Sequence, residues 1–213
     1  MQQRSDEWFA ARCGKVTASR VCDIMPGAKG AYLASRKNYM AEKVCEILTG
    51  QPAESFASAA MQWGTDMEPL ARSAYEAKTG AWVTEYGFRL ADKCLNLGCS
   101  PDGLVHPDGG IEIKCPNTAT HIAMITGAPI DYRYIYQMQT AMLIFGRAWW
   151  DFVSFDPRLP DHLQLYIQRV YADHQIHGKI LSEAWLFVDE LEGTLRKLKE
   201  IIRIKLSSMI TIF

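Results

Sequence analysis

The sequence lacks the features that mark membrane, secreted and small zinc-stabilised proteins. No apolar run approaches membrane-spanning length, and the segment from Met1 to Asp6 carries no apolar signal region. The six cysteines form no C-x-x-C pair and show no zinc-type spacing with histidine. We therefore expect free thiols, no membrane association and a reducing, cytoplasmic environment.

A large excess of positive charge is also absent. The 213 residues carry a formal net charge of −1, which excludes a uniformly basic nucleic-acid-binding protein. Any DNA-binding role requires the positive charge to be concentrated in one groove or channel. Repeats, low-complexity tracts and long linkers are missing too, so the length predicts a single domain, 1–213, with a substantial core.

The hydrophobic patterns that are present predict a mixed α/β (α+β) fold. Helices are predicted at 5–12, 18–25, 32–48, across Glu68, and at 119–126, 134–145 and 173–205, with an interruption near Gly178 left open. Strands are predicted at 82–90, 95–100, 104–106, 111–115, 148–156 and 163–170. This order favours one sheet covered by helices. Residues 171–206 form a C-terminal helical region, and the role of the apolar tail 207–213 stays open.

One stretch combines two acids and a lysine. Ser100-Pro101-Asp102-Gly103 precedes a predicted turn at 106–110, and Glu112-Ile113-Lys114 follows it. Alternation places Glu112 and Lys114 on one strand face, and the turn returns Asp102 to the side of Glu112. Carboxylates and a backbone carbonyl suit Mg²⁺, and Lys114 is placed to orient or activate a water. An acid-x-lysine pair alone is usually a surface ion pair, whereas the added Pro-Asp predicts metal-assisted phosphodiester hydrolysis.

Several motifs in a fixed order resemble a known family. They are Trp8 with Arg12-x-Gly-x-Val-Thr-Ala-Ser19, Trp63-Gly-x-x-x-Glu68, Ser100-Pro-Asp-Gly103, Glu112-Ile-Lys-Cys-Pro116 and Tyr136-Gln-x-Gln139. Together they resemble lambda exonuclease and the YqaJ-like viral recombinase family, which carry the PD-(D/E)xK nuclease signature on a restriction-endonuclease-like fold. The resemblance covers about residues 5–170.

The resemblance implies a role for each matched residue. Asp102, Glu112 and the Ile113 carbonyl would hold Mg²⁺, with Mn²⁺ as a substitute. Catalysis would use Lys114 to position or deprotonate water, Glu68 beside the metal, and Gln137. DNA contacts would come from Arg12, Ser19 and Ser100 at the 5′ phosphate and from Met61 as a wedge between the terminal bases. The family's arginine after the Lys-Cys-Pro segment is replaced by Thr120, which leaves the strength of the 5′-phosphate preference open.

Each residue also has an ordinary structural interpretation. Arg12 could be a surface residue, Ser19 a turn or cap, Met61 core packing and Gln137 a buried structural amide. We interpret His106 and His121 as structural.

The resemblance further implies a Mg²⁺-dependent 5′→3′ exonuclease that digests one strand of double-stranded DNA from its ends and leaves 3′ overhangs. It implies a ring-shaped homotrimer, a single-strand annealing protein as partner, and a phage or prophage origin. Three alternatives remain: a sequence- or structure-specific endonuclease of the same fold, a catalytically inactive DNA-binding module, and an α/β protein unrelated to DNA.

Overall fold

The computed structural model describes residues 1–27, 29–53 and 58–210. Of the predicted tail 207–213, residues 207–210 continue the last helix and 211–213 lie outside the described residues. Six α-helices in the described ranges are α1 (Asp6–Arg12), α2 (Ala34–Thr49), α3 (Ala59–Thr79), α4 (Thr118–Ile125), α5 (Tyr132–Phe145) and α6 (His174–Ile210). The strands described are β1 (Val16–Thr17), β2 (Val83–Thr84), β3 (Arg89–Ala91), β4 (Cys94–Cys99), β5 (Gly103–Val105), β6 (Gly109–Lys114), β7 (Trp149–Phe155) and β8 (Leu165–Tyr171). Short 3₁₀ helices lie at Ala18–Asp23 and Asp161–Leu163.

The strands form two sheets, so the prediction of one sheet is wrong. Five strands are arranged in the order β2-β5-β6-β7-β8, and three in the order β1-β4-β3. The predicted strand 82–90 is in fact two strands, because β2 pairs with β5 in the larger sheet and β3 pairs with β4 in the smaller one. The segment 82–90 thus contributes to both sheets. Its division into two strands depends on pairing with β4 and β5, which periodicity within the segment does not specify.

Strand β6 lies at the centre of the larger sheet. It runs antiparallel to β5 and parallel to β7, and its residues from Gly109 to Ile113 are buried. Glycines at its start allow tryptophans of β7 to approach, since a Cβ on Gly110 would lie 2.4 Å from the Trp150 ring. A side chain there would displace a fully buried indole. Strand β6, which carries Glu112 and Lys114, is therefore held by hydrogen bonds to β5 and β7 and by tryptophan packing at its first residues.

Most predicted helices are confirmed, with local corrections. Ser5 caps α1 through the Trp8 amide, and α3 continues through Pro69 past Glu68. The helix predicted at 18–25 is a 3₁₀ helix, and the Thr17 side chain makes no capping hydrogen bond within the described residues. Helix α6 continues through Gly178, so the interruption considered there does not occur. None of the helices in the described part of the chain has the length and hydropathy needed to cross a bilayer.

Candidate active site

The register of the β5–β6 hairpin brings the two predicted acids together. Gly103 pairs with Ile111, and continuing that register by one residue places Asp102 opposite Glu112. The Ile113 amide donates to Asp102 Oδ2 at 2.7 Å, which fixes the carboxylate against the strand. Glu112 is only 2% exposed. The predicted convergence of the acids is therefore present.

Two side chains donate to the same oxygen of Glu112. The Lys114 ammonium pairs with Oε1, as its position two residues along one strand face predicts. Gln137 Nε2 reaches Oε1 from helix α5 at 2.6 Å, so Gln137 lies at the site and is not a core amide. The Lys114 nitrogen also lies 5.0 Å from the centre of the Tyr134 ring, a cation–π contact that orients the ammonium.

Helix α3 contributes Glu68 to the same region. Its side chain is 21% exposed, and Arg72, one turn later, donates Nη2 to Glu68 Oε1 at 2.9 Å. The same nitrogen donates to the backbone oxygen of Asp102 at 3.2 Å. On the other side, Arg4 Nη2 lies 3.4 Å from Glu68 Oε2. Neither arginine was identified from the sequence, because a lone arginine without a motif is usually a surface residue.

Burial raises the pKa values of all three acids. It raises the pKa of Glu112 to about 7, with the Asp102 charge adding to the effect and Lys114 opposing it. Burial raises the pKa of Asp102, and burial followed by the charge of Asp102 raises that of Glu68. Burial alone would lower the pKa of Lys114, but the carboxylates of Glu112 and Asp102 outweigh it and raise that pKa. Lys114 is therefore protonated at neutral pH and acts as a cationic donor.

The oxygen atoms of this site fit a hard divalent cation. Among the described residues, no group of three or more His, Cys, Asp or Glu side chains forms a ready cation cage. Mg²⁺ does not need one, since it commonly takes one or two carboxylates and completes its shell with water and substrate phosphate. Asp102 and Glu112 supply that number, and a cation between them would offset the cost of taking their charges out of water, which is the main cause of their raised pKa values. The residues that would hold the cation are Asp102, Glu112 and the Ile113 carbonyl.

A separate cavity contains the residues predicted to contact the 5′ end. Arg12, Ser19 and Met61 all line a space of about 550 Å³ beside helix α1. Ser19 is exposed there, with its hydroxyl 3.3 Å from that of Thr17. Met61 is 57% exposed, so it is not a core residue. The structure thus brings three of the four predicted contact residues to one surface.

The fourth, Ser100, joins this cavity to the acids. Arg12 Nη1 donates to Ser100 Oγ at 3.1 Å, and Trp8 Nε1 donates to it at 2.8 Å. The Arg12 guanidinium lies 4.0 Å above the centre of the Trp8 ring. Burial lowers the pKa of Arg12, yet its donors face a hydroxyl and aromatic rings. Ser100 lies two residues before Asp102, so the cavity adjoins the acidic site.

Three other observations concern residues outside these contacts. Thr120, at the position of the family's arginine, is exposed. His121 is buried and contacts Ser154 Oγ and the Leu163 carbonyl at 2.7 and 2.9 Å, which fits the structural role expected of it. A larger cavity of about 920 Å³, between α5, α6, residues 22–27 and Leu33, is lined by none of the predicted site residues in the part of the chain that the structure describes.

Comparisons with known proteins agree with this arrangement. A family model described as the YqaJ-like viral recombinase domain matches residues 7–148. The crystal structure of an alkaline exonuclease (LHK-Exo) from Laribacter hongkongensis is 49% identical, with a TM-score of 0.86, over 93% of this chain and 98% of that one. The same exonuclease in complex with dAMP matches at 50% identity over the same shares and with the same TM-score.

A more distant neighbour shares the fold alone. A phage-related exonuclease from Haemophilus somnus 129PT is 19% identical, with a TM-score of 0.62, over 85% of this chain and 96% of that one. No curated protein gave a significant match. The likeness to LHK-Exo confirms the predicted mixed α/β single domain of the restriction-endonuclease-like fold.

Proposed function

The chain belongs to the YqaJ-like viral recombinase family, and on that premise we propose that it is a Mg²⁺-dependent exonuclease that digests one strand of duplex DNA from the 5′ end. The 49% identical protein of Laribacter hongkongensis is an alkaline exonuclease, which supports a nuclease acting on DNA ends. The polarity, the cation and the product are our proposals.

The observation that carries the proposal is the arrangement of Asp102, Glu112 and Lys114. The buried Glu112 and the half-buried Asp102 lie opposite each other across one hairpin, and an ammonium pairs with Glu112. Removing two neighbouring carboxylates from water is costly, and a single ammonium offsets the charge of only one of them. An arrangement of this kind is therefore better suited to binding a cation than to stabilising a fold. The same arrangement opposes the alternative of an inactive DNA-binding module.

In this proposal each residue has a defined task in phosphodiester hydrolysis. A bound cation supplies Lewis-acid stabilisation of the phosphate charge. The protonated Lys114 donates a hydrogen bond to the attacking water or to the phosphate, where it offsets developing negative charge. Gln137 holds Glu112 in place, and Glu68 adds a carboxylate beside Asp102. The water oxygen attacks phosphorus in line with the leaving oxygen and gives up a proton to solvent. The bond from phosphorus to the leaving oxygen breaks, its electron pair goes to that oxygen, and the oxygen takes a proton from solvent water.

The cavity beside α1 would hold the 5′ terminus. Arg12 there combines a desolvated guanidinium with fixed hydrogen-bonding geometry, which suits a phosphate. Ser19 and Ser100 offer hydroxyl donors, and the exposed Met61 can pack against a terminal base. Because Ser100 is two residues from Asp102, an end held in this cavity would place a nearby phosphodiester at the acids.

We also propose the biological setting that the family implies. Digestion from the 5′ end leaves a 3′ single strand, which suits transfer to a single-strand annealing protein in phage or prophage recombination. This setting would place the protein in the bacterial cytoplasm.

An end-labelled duplex assay tests the proposal. With Mg²⁺, label at the 5′ end should be released first, EDTA should stop release, and a covalently closed plasmid should stay intact. Cleavage of the closed plasmid would instead establish the alternative of an endonuclease. Asp102→Asn keeps an oxygen that can accept the Ile113 amide and should lower the rate at least about 100-fold, since charge stabilisation by a metal is worth several kcal/mol. A near-normal rate for D102N with an unchanged melting temperature would refute the assignment.

A further inference from the structure

We infer that Arg72 is a positioning residue that holds Glu68 against the Asp102 turn, the connection of residues 100–102 between β4 and β5. In this way the acids from helix α3 and from the start of the β5–β6 hairpin form one site. This inference rests on the proposed nuclease function and concerns a residue that no sequence motif identified. It is carried by contacts, burial and the connectivity of the chain.

The guanidinium of Arg72 contacts segments that are distant in sequence. Nη2 donates to Glu68 Oε1 at 2.9 Å and to the Asp102 carbonyl at 3.2 Å, while Nη1 pairs with Glu85 in the loop between β2 and β3. A planar guanidinium presents its donors in a fixed fork, so it fixes distance and angle together. Helix α3 and the Asp102 turn are therefore aligned through one rigid group.

Arg72 differs from an ordinary helical ion pair. Surface pairs one turn apart are exposed and contribute a few tenths of a kcal/mol. The Arg72 side chain is 15% exposed, and its Nε atom is buried with no hydrogen-bond partner in the described part of the chain. A buried and incompletely satisfied arginine is costly. Its placement is better explained by the alignment of two acids than by helix stability.

The ion pairs of Arg4 with Glu68 and of Glu85 with Arg72 are more exposed than the contacts that Arg72 makes to Glu68 and Asp102. Arg4 also reaches Glu68, but at 3.4 Å and with a side chain that is 52% exposed. Glu85 is 73% exposed and bonds only the outer nitrogen of Arg72 among the contacts described. The link between Glu68 and the Asp102 turn thus runs through the Nη2 atom of Arg72.

The test is Arg72→Lys, which keeps the charge and removes the fork. Mn²⁺ binding would be measured from the cation-dependent rise in melting temperature. The kcat and KM values would be measured with a 5′-phosphorylated duplex. R72K should weaken Mn²⁺ binding or lower kcat about tenfold or more, as loss of an outer contact to metal ligands does, with KM for DNA within about twofold of wild type. Glu85→Gln is the matched control, and it should change neither measurement by more than about twofold.

A double variant separates positioning from a general structural role. If Arg72 acts through Glu68, then adding R72K to Glu68→Gln should cause less than about a twofold further loss. The inference would be overturned if the losses of activity in the two single variants multiply in the double variant. It would also be overturned if R72K binds Mn²⁺ and cleaves DNA like wild type, or if R72K shows no folding transition. A wild-type protein that neither binds Mn²⁺ nor cleaves DNA would instead overturn the proposed function.

Discussion

At the scale of single residues, the site is governed by the cost of burying negative charge. Glu112 has a pKa of about 7, and the pKa values of Asp102 and Glu68 are raised as well. Protons and a divalent cation therefore compete for the same oxygens. The competition is strongest below pH 7, where Glu112 holds its proton.

This competition predicts a pH dependence of cation binding. Below pH 7 the affinity for Mn²⁺ should fall by up to about tenfold per pH unit, and above about pH 8 it should level off, since one proton must leave Glu112. Calorimetric titration of Mn²⁺ at pH 6, 7 and 8 measures this. An affinity that does not change over that range would contradict the raised pKa of Glu112.

The same shift has a defined sign for stability. The folded state holds the Glu112 proton up to a pKa of about 7, whereas the unfolded chain releases it near the ordinary glutamate pKa of 4.5. Between these values the folded state binds more protons, so without a cation this group lowers the free energy of unfolding as pH rises. Melting curves in EDTA and in Mn²⁺ should therefore diverge with increasing pH.

Arg12 gives a second prediction at this scale. Arg12→Lys keeps the charge but loses the planar stack on Trp8 and the fixed bond to Ser100. We expect the ratio of rates on 5′-phosphorylated and 5′-hydroxyl duplexes to fall about tenfold, which corresponds to one charge-assisted hydrogen bond. Rates on both end-labelled substrates measure it. An unchanged ratio, with cleavage intact, would remove Arg12 from the phosphate site.

The sequence predicts the positions of the acidic residues better than those of the residues that hold them in place. Asp102, Glu112 and Lys114 follow from strand alternation and a turn, which are local rules. Arg72 could not be identified in this way, because an arginine four residues after a glutamate is ordinary on a helix surface. Its contact with the Asp102 carbonyl depends on how α3 packs against the hairpin, and no local pattern specifies that packing.

At the scale of elements, the first residues of strand β6 are glycines because tryptophan rings of β7 pack directly against them. An alanine Cβ at position 110 would meet Trp150 ring atoms at 2.4 to 2.6 Å. Trp150 is fully buried, so the ring has little room to move. Strand β6, which carries Glu112 and Lys114, pairs with β7, and helix α5, which carries Gln137, packs against both strands. The packing of Trp150 is therefore connected to the acidic site.

Gly110→Ala should therefore destabilise the protein by about 1–3 kcal/mol, as overpacking of a core does. Gly64→Ala is the matched control, because a Cβ on Gly64 in helix α3 meets nothing within 4 Å among the described residues. That change should be neutral or stabilise by up to about 1 kcal/mol. Urea denaturation measures both. Equal stabilities of G110A and wild type would contradict the packing argument.

Helices were more predictable than strand partners for a physical reason. The N-cap of α1 and the left-handed glycines after α2 and α3 are read from a few adjacent residues. Strand β1 is only Val16–Thr17 and exists because it pairs with Leu97 and Gly98. The division of 82–90 between two sheets has the same origin. Both depend on contacts across the chain that periodicity does not contain.

At the scale of the whole molecule, the family resemblance predicts a ring-shaped homotrimer. Such a ring would keep DNA bound by enclosure, which suits a chain whose net charge is only −1. Light scattering coupled to size exclusion should give three times the chain mass of 24.1 kDa. A monomer at assay concentration would contradict the ring, while leaving the cleavage chemistry unaffected.

The pairing of β5 with β6 constrains how this protein can vary. Asp102 and Glu112 are matched only while the number of residues on each arm of the hairpin is kept, because one deletion within an arm would turn the lysine and glutamate to the opposite face. The exposed turn at 106–108 lies outside the paired arms, so a change in its length leaves the register of β5 and β6 unchanged. Insertions among homologues should accumulate there, so the interval between the two acids can drift freely, and a search template with a fixed interval would overlook functional members.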